Sequence, residues 1–202
     1  MGTRNLVAVF YGGEYKVAQY GQWDGYPSGQ GSEVCDFIQS RMDLEKFKKA
    51  VGECKFLSDD EVSERWFECG ASKDNEFVSM DVSDKFKRTY PALSRDAGAK
   101  VLDMVQDGAR HLKNSVEFAG DSLFCEWAYV LDLDNLMLEV YKGFNKDPLD
   151  KSERFYSFEL RDADHRKEKY SPIKLVKKLS FSEATKSAMA ELSAELNKED
   201  DS

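Results

Sequence analysis

The sequence predicts an α+β fold: a mainly antiparallel β-sheet with helices packed on one or both of its faces. Three observations lead there. Apolar, β-branched runs flank Gly12-Gly13, a second pair of such runs flanks Asp134-Asn135, and the stretches between them carry apolar residues at mixed three and four spacing. Consecutive hairpins need no parallel crossover, so antiparallel pairing should dominate. The chain has 202 residues, 41% hydrophobic and 33% charged. A chain of that size can bury roughly 70% of its unfolded surface around one core. The expectation is therefore a single domain over residues 1–197, followed by an acidic tail at 198–202.

The elements follow in order. Leu6 to Tyr11 and Glu14 to Tyr20 form a hairpin whose turn, Gly12-Gly13, can take the positive φ values of a two-residue connection. Gly21 to Gly31 is an irregular loop built of Gly, Gln, Trp, Asp, Tyr, Pro and Ser. A helix should begin near Ser32, with Val34, Cys35, Phe37, Ile38 and Met42 inward, and a second from Asp43 with Leu44, Phe47 and Val51. Ser58 and Glu61 have the spacing of a capping box for a helix ending near Cys69. The segment KDNEFVSMDVSDKFKRTYP has weak periodicity and reads as a loop holding at most one helical turn.

Ser94 can cap a longer helix from Arg95 to Leu112, with Ala99, Leu102, Val105 and Ala109 on the face turned to the sheet. Leu123 to Asp132 and Leu136 to Tyr141 make the second hairpin, and Arg154 to Leu160 and Ile173 to Leu179 read as further strands. Between those strands RDADHRKEK has no apolar period and reads as a solvated loop containing His165. A last helix from Phe181 to Leu196 follows the Ser180/Glu183 box. Val7, Val9, Val17, Leu123, Trp127, Tyr129, Val140 and the Leu102 face should share the core.

Charge and cysteine usage narrow the function. With 29 Lys and Arg against 38 Asp and Glu, the net charge of −9 disfavours nucleic acid and anionic membranes as partners. The opening MGTRNLVAVFYGG lacks the apolar length and cleavage site of a signal peptide, Leu6 stands where myristoylation needs Ser or Thr, and no apolar run reaches membrane-spanning length. A cytoplasmic protein is expected. Cys35, Cys54, Cys69 and Cys125 are irregularly spaced and far in sequence from His111 and His165, which reads as reduced thiols, with Cys125 in the core and neither a metal nor a cofactor. Asp121, Glu126, Asp132 and Asp134 read as turn and surface charges before a metal cluster. His111 reads as a cation near a helix C-terminus, and PSGQG lacks the Lys of a phosphate-binding loop.

The segments TRNL…YKVAQYGQWDGYPSGQG and DSLFCEWAYVLDLD…LEVYKGFNK resemble those of a protein family sharing both stretches. That resemblance spans most of the chain, implies common ancestry and supplies no reaction. The first hairpin also resembles that of N-terminal nucleophile hydrolases, whose antiparallel sheets lie between helices with Thr, Ser or Cys opening strand one. This second resemblance implies an amidohydrolase with Thr3 as nucleophile and Gly21 to Asp24 closing strand two. The chain departs from that pattern: Gln22 replaces an Arg, Asp24 falls one residue early, and Met1 and Gly2 precede Thr3. A Thr hydroxyl is activated in that mechanism by a free α-amino group of pKa near ~8, so Met1 and Gly2 would have to be removed.

The reading preferred on the residues themselves is a domain that binds a small molecule or a protein partner at the Gly21–Gly31 loop. Arg4, Gln22, Trp23, Asp24 and Tyr26 are the candidate contacts, because polar groups beside aromatics in a long loop make a pocket wall. Asp24 should be partly accessible, its carboxylate held by backbone donors or by Arg4. The competing structural reading makes the glycines and aromatics a plug for one end of the core.

Overall fold

A computed structural model describes residues 2–72, 77–161 and 170–200. Its centre is a five-stranded sheet in the order β2-β1-β5-β6-β7. The strands are β1 (Asn5–Tyr11), β2 (Glu14–Gly21), β5 (Trp127–Asp132), β6 (Met137–Lys142) and β7 (Lys174–Ser180). Both predicted hairpins are present, with Gly12 and Gly13 at φ 65° and 81°. The Asp134 carboxylate accepts from the Gly12 and Gly13 amides at 2.9 and 3.1 Å, so one hairpin's turn caps the other's. Between the hairpins β1 and β5 run parallel, with Val7 opposite Tyr129 and Val9 opposite Leu131, so the sheet is mixed and mostly antiparallel.

Both faces of this sheet are covered, which explains why Asn5–Val9 and Trp127–Asp132 are buried without alternation. Val7, Val9, Val17, Tyr129, Leu138 and Val140 face the larger core. Packed there are α1 (Ser32–Asp36), α2 (Leu44–Gly52), α5 (Val101–Gln106) and α7 (Lys186–Asp200). The opposite face carries Leu6, Ala8, Ala128, Val130 and Tyr141 under Phe155, Phe158 and Ile173. Trp127 and the Leu102 face lie in the larger core as expected, whereas Leu123 is half-buried in a turn ahead of β5 and outside it.

Several expectations are corrected. The segment read as a loop contains α4 (Met80–Thr89), capped by Ser79 and turning Phe86 inward; residues 73–76 lie outside the described chain. Only the short α4 portion has a helical face, and the aperiodic residues before it dilute the pattern. The long helix expected over Arg95–Leu112 shrinks to a 3-10 turn, Gly98–Lys100, and α5. Ser94 does not cap it. The Ser94 carbonyl accepts from the Gln19 side chain at 2.9 Å, and the Ala99 amide donates to Gln30 Oε1 at 2.6 Å, contacts that hold this stretch away from a helix. His111 therefore ends no helix; it opens β4 (His111–Lys113), which pairs in parallel with β3 (Lys55–Leu57).

The strand expected at Arg154–Leu160 is instead a turn followed by α6 (Tyr156–Arg161). Burial of Phe155 and Phe158 on the second face, together with the pairing of Arg154 described below, fixes that turn and helix. The charged loop after it, with His165, falls at 162–169 outside the described residues. The Ser180/Glu183 box closes a turn, while Thr185 Oγ1 accepts from the Ala188 amide at 3.1 Å where α7 begins. That helix runs on to Asp200, into the residues expected as a tail. The box of Ser58 and Glu61 forms as read and starts α3 (Asp59–Cys69).

Candidate functional site

The Gly21–Gly31 loop is held by close backbone packing. The Gly25 amide donates to the Thr3 carbonyl at 3.0 Å, and the Tyr129 hydroxyl, fully buried, donates to the Gly25 carbonyl at 2.8 Å. A Cβ on Gly25 would lie 2.8 Å from the Thr3 oxygen, and one on Gly31 2.8 Å from the Tyr129 ring. These glycines are needed because the loop lies directly on the sheet end.

The predicted site residues separate into several places. Asp24 sits at φ 55° with an exposed side chain; its carbonyl accepts from the Gln30 amide at 2.8 Å, and among the described residues no group donates to its carboxylate. Asp24 and Tyr26, with Ser28, Gln30, Glu33 and Lys186, border an open depression. Gln22 and Trp23 lean the other way. Gln22 Oε1 accepts from the Tyr20 hydroxyl at 2.6 Å, its amide donates to the Arg95 carbonyl at 3.2 Å, and Trp23 Nε1 donates to Asp96 at 3.3 Å. Arg4 does not hold Asp24: its guanidinium lies 4.5 Å over the Phe124 ring, and its amide donates to Glu126 at 3.1 Å. Thr3 is buried, its nitrogen bonded to Gly2, and Gly2 is wedged against Trp23, where a Cβ would come within 2.3 Å of the indole.

Beside the loop is a feature not foreseen from the sequence, a cleft of about 650 Å³. It opens at the edge of β2. The short strand β4 reaches that edge only at the bridge between Asn114 and Ala18, after which the Ser115 amide donates to the Ala18 carbonyl at 3.0 Å and the chain turns away. Gln19 and Tyr20, on opposite faces of β2, are left lining the opening. Helices α3 and α4 supply the far wall through Val62, Trp66, Ser83 and Phe86. Trp66 lies flat on Phe86, centroids 3.7 Å apart, and Tyr20 meets Phe118 edge to face at 5.0 Å.

Three cations border this cleft, Lys87, Arg95 and Lys113, with no carboxylate among the lining residues. Lys87 pairs with Asp96 at 2.7 Å, and that bond, against some burial, holds the Asp96 carboxyl below the usual range. Arg95 and Lys113 are exposed and make no ion pair among the described residues. The loop thus supports the cleft from outside: Gln22 steadies Tyr20, and Trp23 steadies Asp96 and through it Lys87.

A contrasting cluster lies on the second face of the sheet. Arg154 pairs with Asp132 and Glu139 at 2.6 Å each, Tyr141 donates to Glu139 at 2.7 Å, and Lys178 reaches Glu139 at 3.1 Å. Burial pushes the Asp132 and Glu139 carboxyls up, but hydrogen bonds outweigh it, chiefly from Asn135 and Arg154 for Asp132 and from Arg154 and Tyr141 for Glu139. Both stay below their usual ranges. Three of the four candidate carboxylates are engaged separately: Asp132 pairs with Arg154, Asp134 caps the Gly12 turn and Glu126 receives the Arg4 amide.

The four cysteines are buried free thiols; burial pushes Cys35 up to about 12 and Cys54 up to about 11, protonation that leaves these two poor nucleophiles near neutral pH. Among the described residues no three His, Cys, Asp or Glu side chains come together as a metal site requires, and no helix is long and apolar enough to cross a membrane. No protein-family model, curated protein or solved structure matches the chain.

Proposed function

We propose that this chain is a small-molecule-binding protein whose site is the cleft between β2, α3 and α4, with the Gly21–Gly31 loop as its supporting frame. The observation that carries this reading is the cleft itself, about 650 Å³ and walled by two aromatic pairs. Small-molecule sites of roughly 300–1,000 Å³ combine such apolar walls with a few convergent polar groups. Here Gln19, Ser83 and Ser115 are those polar groups, and Gln19 is fixed by its bonds to the Ser94 and Tyr20 carbonyls at 2.9 and 2.7 Å. Fixed walls lower the ordering cost of binding.

The test is to fill the cleft from α4. Ser83→Trp should abolish ligand signals in a ligand-observed NMR screen of small metabolites while the far-UV spectrum and unfolding midpoint stay as in the parent. Tyr26→Ala, on the open depression, should leave those signals intact. The opposite pattern would move the site to the depression beside Asp24 and end the cleft reading.

A further inference from the structure

Resting on the cleft reading, we infer that the ligand is an anion on a flat apolar body, an aromatic or conjugated molecule carrying a carboxylate, sulfonate or phosphate. The chain carries −9 overall, yet the side chains bordering the cleft include three cations and no carboxylate. A cleft with low-dielectric walls and one sign of charge focuses the field on its contents, so it selects against cations even on an acidic protein.

The cations are not equivalent. Lys87 already has Asp96 at 2.7 Å, and Trp23 holds that same carboxylate from the other side at 3.3 Å. Lys113 also borders the neighbouring depression, where Asp59 and Glu117 stand. Arg95 makes no ion pair among the described residues; the neighbouring Asp96 carboxylate feels its charge but is already bonded to Lys87 and Trp23. Its backbone carbonyl is pinned by the Gln22 amide at 3.2 Å, and its guanidinium can fork onto two oxygens of one anion. Arg95 is therefore the principal anion contact and Lys113 the second.

The walls define the rest of the molecule. One aromatic pair, Tyr20 with Phe118, comes from the sheet edge and the turn at Val116–Gly120, and the other, Trp66 with Phe86, from α3 and α4. A flat body between such walls can stack or meet ring edges while its charged end stays at the rim with Arg95 and Lys113. A bare inorganic anion would leave the aromatic walls unused, and a neutral ring would leave the cations unused.

Two fluorescent probes sharing one ring framework separate these contributions: 8-anilinonaphthalene-1-sulfonate, an anion, and N-phenyl-1-naphthylamine, its neutral counterpart. Direct titration should show the sulfonate binding at least about ten-fold tighter, the equivalent of about 1.4 kcal/mol. The double variant Arg95→Gln/Lys113→Gln should erase that preference and leave the neutral probe unchanged. Raising salt from about 0.05 to about 0.5 M should weaken only the sulfonate, because exposed charges are screened. Ser83→Trp should remove both probes. Equal binding of the two probes, or a preference that survives the double variant, overturns the anion inference while loss of both in Ser83→Trp upholds the cleft. Probes that ignore Ser83→Trp, or that fail to bind the parent chain, overturn the cleft reading and the inference together.

Discussion

Two regions of this molecule gather arginine, aromatic rings and hydrogen-bonding groups, and they use them in opposite ways. Around Arg154 the charges are mutually satisfied: Asp132 and Glu139 each receive the guanidinium at 2.6 Å, Tyr141 and Asn135 fill further acceptor sites, and Phe10 lies 4.5 Å beneath it. At the β2 edge Arg95 and Lys113 are unpaired among the described residues, and the aromatic rings line open space. The first arrangement clamps the chain at Arg154 onto the sheet. The second leaves cations without such partners beside an open apolar wall, and the site proposed above rests on that difference.

Three substitutions test this contrast. Arg154→Met strips the guanidinium from two buried carboxylates, leaving Glu139 with Lys178 and Tyr141 and Asp132 with Asn135, and should cost about 3–5 kcal/mol in urea unfolding; a nearly unchanged midpoint would deny the clamp. Glu139→Gln keeps the shape and removes one charge, and should cost about 1–3 kcal/mol at neutral pH by weakening the bonds from Arg154 and Tyr141. Its pH signature is specific. Glu139 and Asp132 both titrate below their usual values, so their stabilisation is present above about pH 4 and is lost as pH falls through the folded values. The parent should therefore weaken steeply below about pH 4, and Glu139→Gln should flatten that slope.

The smallest effect is expected at Asp24→Asn. Asp24 is exposed at φ 55°, a conformation Asn also tolerates, and its carboxylate has no donor among the described residues. The unfolding midpoint and probe binding in the cleft should both be unchanged. Weakened probe binding in this variant would draw the loop's open side back into the site.

How much was legible in the sequence follows from the range of the interactions involved. Both hairpins could be read because their runs are β-branched and their turns carry Gly12-Gly13 and Asp134-Asn135. The box at Ser58 and Glu61 is equally local. The strands at Lys55–Leu57 and His111–Lys113 are too short to show alternation, and the parallel pairing of β1 with β5 is a tertiary event no local pattern encodes. The cleft is harder still. Tyr20, Trp66, Phe86 and Phe118 come from four separated elements, and in sequence Arg95 and Arg154 look alike although one makes no ion pair among the described residues and the other is locked between two carboxylates. A single Trp on the highly charged stretch of α3 was the one available hint, and it reads equally as core.

The pairing of Val7 with Tyr129 also governs how this protein must be made. A nascent chain leaves the ribosome with its first hairpin long before residues 127–132 exist, so β1 emerges with one edge bonded to β2 and the other bare. That strand is apolar on both faces, Val7 and Val9 on one and Leu6 and Ala8 on the other. A bare, two-sided apolar edge pairs readily with another chain. Closing the sheet across more than half the chain's length is also kinetically slow. Synthesis of this fold therefore passes through a period in which an interior strand of its sheet waits for a partner.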